Sequence, residues 1–107
     1  TMTQAQARPF GYDDVITIEE GTETELEQYQ SLQRAINSCM WSMQGAYGRA
    51  MMAAIENGCC MLGKRGTHDY YENYIPSRSQ VQQGTKGSRV FVAENSGEEW
   101  AKQMEEV

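Results

Sequence analysis

The sequence has 107 residues, which is enough for one domain with a hydrophobic core of modest size. Fifteen acidic residues against nine basic residues give a formal net charge of −6, which disfavours non-specific binding to nucleic acids and to anionic membrane surfaces. No stretch approaches the roughly 20 apolar residues of a membrane-spanning helix, and three cysteines, two of them adjacent, do not make an even disulfide framework. We therefore expect a single domain over residues 1–107, in the cytoplasm and without a membrane partner.

The N-terminal part is expected to contain an arm and a strand. Residues 1–12 are polar, which is typical of a flexible arm. The run Val15-Ile16-Thr17-Ile18 follows, between two acidic pairs, and its β-branched side chains predict a short strand. The flanking charges suit an exposed sheet edge, because charge discourages pairing with other chains.

Residues 22–64 form the longest patterned stretch and are predicted to be the helical core. Apolar residues recur there three or four positions apart, which is the spacing of one face of a helix. Two Thr-x-x-Glu pairs, at Thr22 and Thr24, match capping boxes at its start, and Gly63 or Gly66 is expected to end it. The opposite, polar face carries Glu27, Gln28, Gln33, Arg34 and Asn37.

Two glycines, Gly45 and Gly48, interrupt this pattern, and each costs about 1 kcal/mol relative to Ala inside a helix. Two arrangements stay open: a hairpin of helices near 24–43 and 48–63, or one long helix kinked at the glycines. In both, the apolar surface exceeds what the rest of the chain can easily cover. We therefore predict a homo-oligomer assembled through a helical stripe, whose interface residues are Met40, Met43, Tyr47, Met51 and Ile55.

Residues 67–89 are expected to form a loop region after Gly66. Three tyrosines and the only histidine fall within its first part, where Pro76 disfavours a helix. The remainder is polar and contains two glycines, as exposed loops commonly do.

Residues 90–107 are expected to form a strand and a terminal helix. The strand candidate is the run at 90–92, which is able to pair with residues 15–18, and Ser96-x-x-Glu99 matches a capping box at the start of the helix. The predicted fold class is therefore mainly α (α+β). It combines a long helical hairpin or kinked helix, a small two-stranded β element and a short C-terminal helix.

No catalytic or metal-binding pattern stands out in the chain. Cys59, Cys60 and His68 are the closest set of soft ligands, but adjacent cysteines lack the Cys-x-x-Cys spacing of structural zinc. Nothing in the sequence orients a Cys–His nucleophile pair either. We therefore predict a protein that is not an enzyme and that uses no metal and no cofactor.

The most informative cluster is a run of cations and aromatic residues after the helical core. Cations bind phosphate as charge-assisted donors, and tyrosine faces stack on nucleobases. Two of the cations also suit the negative end of a helix dipole, whatever the function. We predict a binding surface for a phosphate-bearing small molecule, formed by Lys64, Arg65, His68, Tyr70, Tyr71, Arg78 and Arg49.

The run from Ile55 to Lys64 resembles the second helix of the hairpin in phage anti-CBASS and anti-Thoeris sponge proteins. Their pattern there runs roughly Leu-Glu-Glu-Ala-x-Met-Trp-Leu-Gly-Lys, and this chain has Met61 where the family has Trp. The tail at 73–77 is also similar to that of longer members. The resemblance implies a non-catalytic oligomer of phage or mobile-element origin that sequesters cyclic-nucleotide immune signals, with Lys64 at the matching position.

The acidic composition leaves a second function open, that of an inhibitor or assembly protein that binds another protein. The two functions differ in the surface they require. A polar pocket lined by cations and tyrosines would favour capture of a small molecule, whereas a smooth acidic exterior would favour a protein partner.

Overall fold

A computed structural model describes residues 10–21, 24–42 and 45–107. Within these ranges the fold is mainly α with a small β element, as the sequence predicts. One two-stranded antiparallel sheet accompanies the helices. In chain order the elements are α1 (Tyr12–Glu20), α2 (Glu25–Asn37), a 3-10 helix (Met40–Ser42), α3 (Gly45–Glu56), β1 (Thr67–His68), β2 (Tyr74–Ile75), α4 (Arg89–Ser96) and α5 (Glu98–Glu106).

Helix α2 is the central element of this fold. The hydroxyl of Thr24 accepts a hydrogen bond from the Glu27 amide at 3.3 Å, which confirms the second of the two predicted caps; Thr22 lies outside the described residues. Helix α2 packs against α1, α3 and α5, and every residue from Gln30 to Ile36 is buried. A helix buried on all sides in this way holds its neighbours together.

The side chain of Gln33 binds an irregular segment of backbone to α2. Its Nε2 donates to the Met61 carbonyl at 2.9 Å, and its Oε1 accepts from the Met61 amide at 2.9 Å. Both residues are fully buried, so the Met61 N–H and C=O cannot reach water and the glutamine side chain supplies their hydrogen bonds. The assignment of Gln33 and Arg34 to a polar face was therefore wrong. Arg34 is also buried, and its guanidinium donates to the Asp14 carboxylate of α1 at 2.9 Å.

The helical core is a hairpin, but it turns earlier than its glycines suggested. Helix α2 ends at Asn37, and Cys39 adopts a left-handed conformation with φ 59°. Gly45 is then the first residue of α3 rather than part of the turn. At this end of α2 the side-chain Nδ2 of Asn37 donates to the carbonyl of Val107 at 2.9 Å, which ties α2 to the C-terminal end of α5.

Helix α3 ends at Glu56, well before the predicted stop at Gly63 or Gly66. Gly58 has φ 74° and therefore takes the left-handed conformation that commonly follows a helix. The amide of Cys59 bonds back to the Ala54 carbonyl at 2.9 Å and closes the last turn. Because residues 57–66 form turns, bends and irregular backbone, Lys64 does not lie at a helix end.

Both predicted strands are helical, and the pairing expected between them does not exist. Residues 15–18 lie in α1, where the Asp14 carboxylate accepts from the Gly11 amide at 3.0 Å, and residues 90–92 lie in α4. The Ser88 hydroxyl caps α4 by accepting from the Phe91 amide at 3.1 Å. Helix caps and tertiary contacts here outweigh the β preference of the side chains.

The small sheet is built from residues predicted to be loop. It pairs Thr67 with Ile75 and His68 with Tyr74. The predicted C-terminal helix is present as α5, although Ser96 does not cap it and instead donates from its hydroxyl to the Gly58 carbonyl at 2.8 Å. Of the predicted arm, residues 1–9 lie outside the described part of the chain.

The prediction of an oligomer rested on the apolar stripe, and most of that stripe is buried in the core of a single chain. Tyr47, Met51 and Ile55 are 6%, 0% and 3% exposed, and they belong to the same core as Val92 and Met104. Met40 is half-buried against that core, and Met43 lies outside the described residues. These side chains thus stabilise the protomer, and the homo-oligomer stays a prediction. None of the described helices is both long and apolar enough to cross a bilayer.

The Gln33–Met61 contact predicts a large and specific loss of stability. We expect Gln33→Met to lower the free energy of unfolding by about 2–4 kcal/mol, because two buried backbone groups of Met61 lose their partners. Gln83→Met is the matched control, since Gln83 is exposed and has no side-chain hydrogen bond within the described chain. Chemical denaturation measures both, and a loss below about 0.5 kcal/mol for Gln33→Met would contradict the structural role.

Candidate functional site

The irregular segment after α3 positions the β-hairpin on which the candidate site depends. The Leu62 amide donates to the Gly87 carbonyl at 2.9 Å, and the Leu62 carbonyl accepts from Arg78 Nε at 2.7 Å. The Arg78 guanidinium also donates to Asn37 Oδ1 at 3.0 Å, and burial lowers the pKa of Arg78. Arg78 is therefore committed to anchoring the backbone.

The tip of the β-hairpin is held in shape by Asp69. Its Oδ1 accepts from the amides of Tyr71 and Asn73, both at 2.9 Å. The Asp69 carbonyl accepts from the Glu72 amide at 3.0 Å, and Glu72 has φ 66°. These bonds close an Asx-type turn within the hairpin itself. The tip is thus preformed by local bonds.

Two tyrosines project from this tip into solvent. Tyr70 is 67% exposed and Tyr71 is 76% exposed. Their rings meet edge to face with centroids 5.3 Å apart. Two neighbouring exposed aromatic rings make the hairpin tip a candidate binding surface.

The tyrosines form one wall of an open cleft of about 210 Å³. Helix α3 forms the opposite wall, and the 3-10 helix contributes Trp41, which is 4% exposed. Three residues predicted to bind ligand, Arg49, Tyr70 and Tyr71, are thereby brought together. Among the described residues, the lining is Trp41, Gly48, Arg49, Met52, Asp69, Tyr70 and Tyr71.

Arg49 is the cleft residue that can bind an anion. Its side chain is exposed, and no hydrogen bond or ion pair joins it to another of the described residues. The Asp69 carboxylate at the same cleft is already occupied by the hairpin amides. A guanidinium beside aromatic rings can donate two hydrogen bonds to a phosphate or carboxylate while the rings cover a planar group.

Gly48 widens the cleft and is not required for packing. A Cβ atom built at Gly48 would meet no other atom within 4 Å. The interpretation of this glycine as a close-packing residue is therefore not supported. It sits inside α3, where glycine is less favourable than alanine.

The remaining predicted residues, Lys64, Arg65 and His68, are exposed and do not belong to the cleft lining. Lys64 and Arg65 are exposed, and Arg65 Nε donates to the Cys39 thiol at 3.4 Å. His68 packs edge to face against Tyr74 with ring centroids 5.4 Å apart. The structure therefore separates the predicted set into a cleft group and a group outside it.

A second cleft of about 340 Å³ lies beside a different set of α3 side chains. It is lined by Ile18, Glu19, Ala46, Tyr47 and Ala50. Burial raises the pKa of Tyr47, and the charge of the Glu19 carboxylate and a hydrogen bond to it act in the same direction. Among the described lining residues the one charged side chain is the anion Glu19, which disfavours a phosphate in this cleft.

Sequence reasoning missed four cleft residues: Trp41, Gly48, Met52 and Asp69. One of them carries a recognisable signal, because Asp69-x-Tyr71-x-Asn73 matches an Asx turn. The others depend on the turn between α2 and α3, which brings the 3-10 helix beside the hairpin.

Within ranges 10–21, 24–42 and 45–107, no group of three or more His, Cys, Asp or Glu side chains could hold a metal ion. Comparisons with protein-family models, with curated proteins and with solved structures found no match to this chain. The geometry of the cleft therefore carries the functional argument.

The Asx turn predicts how the tyrosines are positioned. We expect Asp69→Ala to speed hydrogen exchange of the Tyr71 and Asn73 amides at least about tenfold, because each loses its acceptor. Glu72→Ala removes a neighbouring carboxylate that has no side-chain partner among the described residues, and it should leave both amides unchanged. NMR exchange rates test this, and equal effects of the two variants would show that Asp69 does not hold the turn.

The open space at Gly48 predicts a stabilising substitution. We expect Gly48→Ala to raise the free energy of unfolding by about 0.5–1 kcal/mol, since alanine favours the helix and meets no clash. Gly84 also has open space around it, but its φ of 90° should make Gly84→Ala destabilising. Thermal and chemical unfolding measure both changes, and a loss of stability in Gly48→Ala would show that the glycine is needed for packing.

Proposed function

We propose that this chain is a non-catalytic binding protein that captures a phosphorylated small molecule, such as a cyclic-nucleotide immune signal. The cleft between α3 and the hairpin is the site. Arg49 contacts a phosphate, and Tyr70 and Tyr71 cover the planar base. The observation that carries the proposal is the presence of an unpartnered guanidinium, among the described residues, beside two preformed and exposed aromatic rings.

The stability cost of the cleft supports a binding role. The helical Gly48 and the exposed rings of Tyr70 and Tyr71 each give up stability that packing would otherwise supply. Proteins tolerate such local costs mainly at functional sites. The same features have no counterpart on the buried side of α3, where Met51 and Ile55 are fully packed.

The expected affinity of one cleft is modest. Two charge-assisted hydrogen bonds at about 1.5–3 kcal/mol each and one stacked base at about 1–3 kcal/mol give a gross gain of about 4–9 kcal/mol. Association costs at least about 4 kcal/mol of lost freedom. Typical ligand pockets measure roughly 300–1,000 Å³, so an open cleft of about 210 Å³ holds only part of a dinucleotide. The net gain is therefore at most about 5 kcal/mol, and we expect dissociation constants of about 0.2–1 mM for one chain.

A second candidate function is binding to another protein. Tyrosine, tryptophan, methionine and arginine are the side chains most enriched at protein interfaces, and all four line this cleft. The two candidates differ in one respect. Only capture of a small molecule requires saturable binding of a free nucleotide.

We expect titration with cyclic di- and trinucleotides and cyclic ADP-ribose isomers to shift the NMR signals of the Trp41 indole and of the Tyr70 and Tyr71 amides. Arg49→Ala and Tyr70→Ala should each weaken binding at least about tenfold, and added salt should weaken it further. Lys102→Ala removes an exposed cation outside the cleft and is the matched control.

The titration also separates the two candidate functions. If no member of the panel binds below about 1 mM, capture of a nucleotide is rejected and the protein-binding candidate replaces it. Equal weakening by Lys102→Ala and Arg49→Ala would show a diffuse charge effect rather than a site. Shifts confined to the second cleft, around Tyr47, would move the site away from the hairpin.

A further inference from the structure

We propose that the second cleft binds an organic cation, which is an ammonium or guanidinium group carried on an apolar stem. The cleft of about 340 Å³ falls within the range of roughly 300–1,000 Å³ that is usual for small-ligand sites. Its described lining combines apolar side chains with one carboxylate, that of Glu19. The inference is independent of the proposed function, because the two clefts share no described lining residue.

A buried hydroxyl group orients the carboxylate of this cleft. Tyr47 on α3 is 6% exposed, and its hydroxyl is hydrogen-bonded to the carboxylate of Glu19 on α1. Because a carboxylate has about four acceptor positions, one bond to Tyr47 leaves the others for a ligand. The Glu19 side chain is exposed, and no ion pair joins it to another residue that the structure describes. The cleft therefore holds an oriented anion whose charge the described chain does not neutralise.

The position of Glu19 in its helix makes the local potential more negative. Glu19 and Glu20 lie in the last turn of α1, which contains no basic residue. The C-terminal end of a helix carries partial negative charge and favours cations, so two carboxylates there are placed against the helix dipole. A cation bound beside Glu19 relieves this unfavourable arrangement. The net charge of −6 attracts cations to the protein as a whole.

The composition of the lining favours an organic cation over a metal ion. Magnesium and calcium ions need several oxygen ligands, whereas the described lining offers one carboxylate. The methylene groups of an alkylammonium ion can pack on Ile18, Ala46 and Ala50, which removes apolar surface from water. A free amine has this chemistry, and so does the lysine or arginine side chain of a partner protein.

We expect NMR titration with n-butylammonium chloride, at constant ionic strength and without nucleotide, to shift the amide signals of Glu19, Ala46 and Ala50 saturably. The dissociation constant should lie between about 1 and 50 mM for so small a ligand. n-Butanol has the same number of non-hydrogen atoms but no charge, and it should bind at least about fivefold more weakly. Glu19→Gln should weaken binding of n-butylammonium by at least about fivefold as well. Glu20→Gln is the matched control, because it removes the same charge from an exposed residue outside the described lining, and it should change the dissociation constant less than about twofold.

A second probe, Nα-acetyl-lysine methylamide, distinguishes the two sources of the cation. If it binds at least as tightly as n-butylammonium, the cleft accepts the main chain of a partner protein, and if only n-butylammonium binds, the ligand is a free amine. Either result supports the site. The proposal is overturned if neither probe gives a saturable shift up to about 100 mM, if n-butanol binds as tightly as n-butylammonium, or if Glu19→Gln and Glu20→Gln weaken binding equally. Nucleotide binding that fails while n-butylammonium binds would reject only the proposed function.

Discussion

The structure depends on one side chain that takes the place of a neighbouring strand. The Gln33 amide bonds to both the N–H and the C=O of Met61, as a paired strand would. A single glutamine can do this only from a fully buried position, where its partners have no access to water. Helix α2 thereby fixes an irregular segment that belongs to no sheet.

This fixed segment determines where the candidate site lies. The bonds of Leu62 to Gly87 and to Arg78 continue the anchoring started at Met61. The chain then enters the β-hairpin from a defined direction, and the 3-10 helix packs beside it. The hairpin tip needs no further support, because Asp69 satisfies its amides locally. A buried helix contact and a local turn together place two tyrosines opposite Arg49.

The sequence predicted what depends on local pattern and missed what depends on tertiary partners. The helical stretch after Thr24 and the C-terminal helix follow from periodicity, and the Thr24 cap follows from capping chemistry, whereas periodicity left a hairpin and one kinked helix both open. The β-branched side chains of residues 15–18 and 90–92 predicted strands. The helix caps at Asp14 and Ser88 favour helices there instead. Gln33 could not have been identified as buried, since its partner lies far along the chain. For the site, charge and aromatic content located Arg49, Tyr70 and Tyr71, but the cleft itself requires the turn at Cys39.

The contrast between the two sides of α3 is the strongest physical argument for function. Met51 and Ile55 are packed into the core, and they hold the helix in place. Arg49 and Gly48 add little to that packing: one is an exposed charge without a partner in the described chain, and the other leaves open space. A helix selected for stability alone would carry alanine at position 48 and would pair or replace the arginine. Under the proposed function, the side of α3 that faces the tyrosines is the side that contacts the ligand.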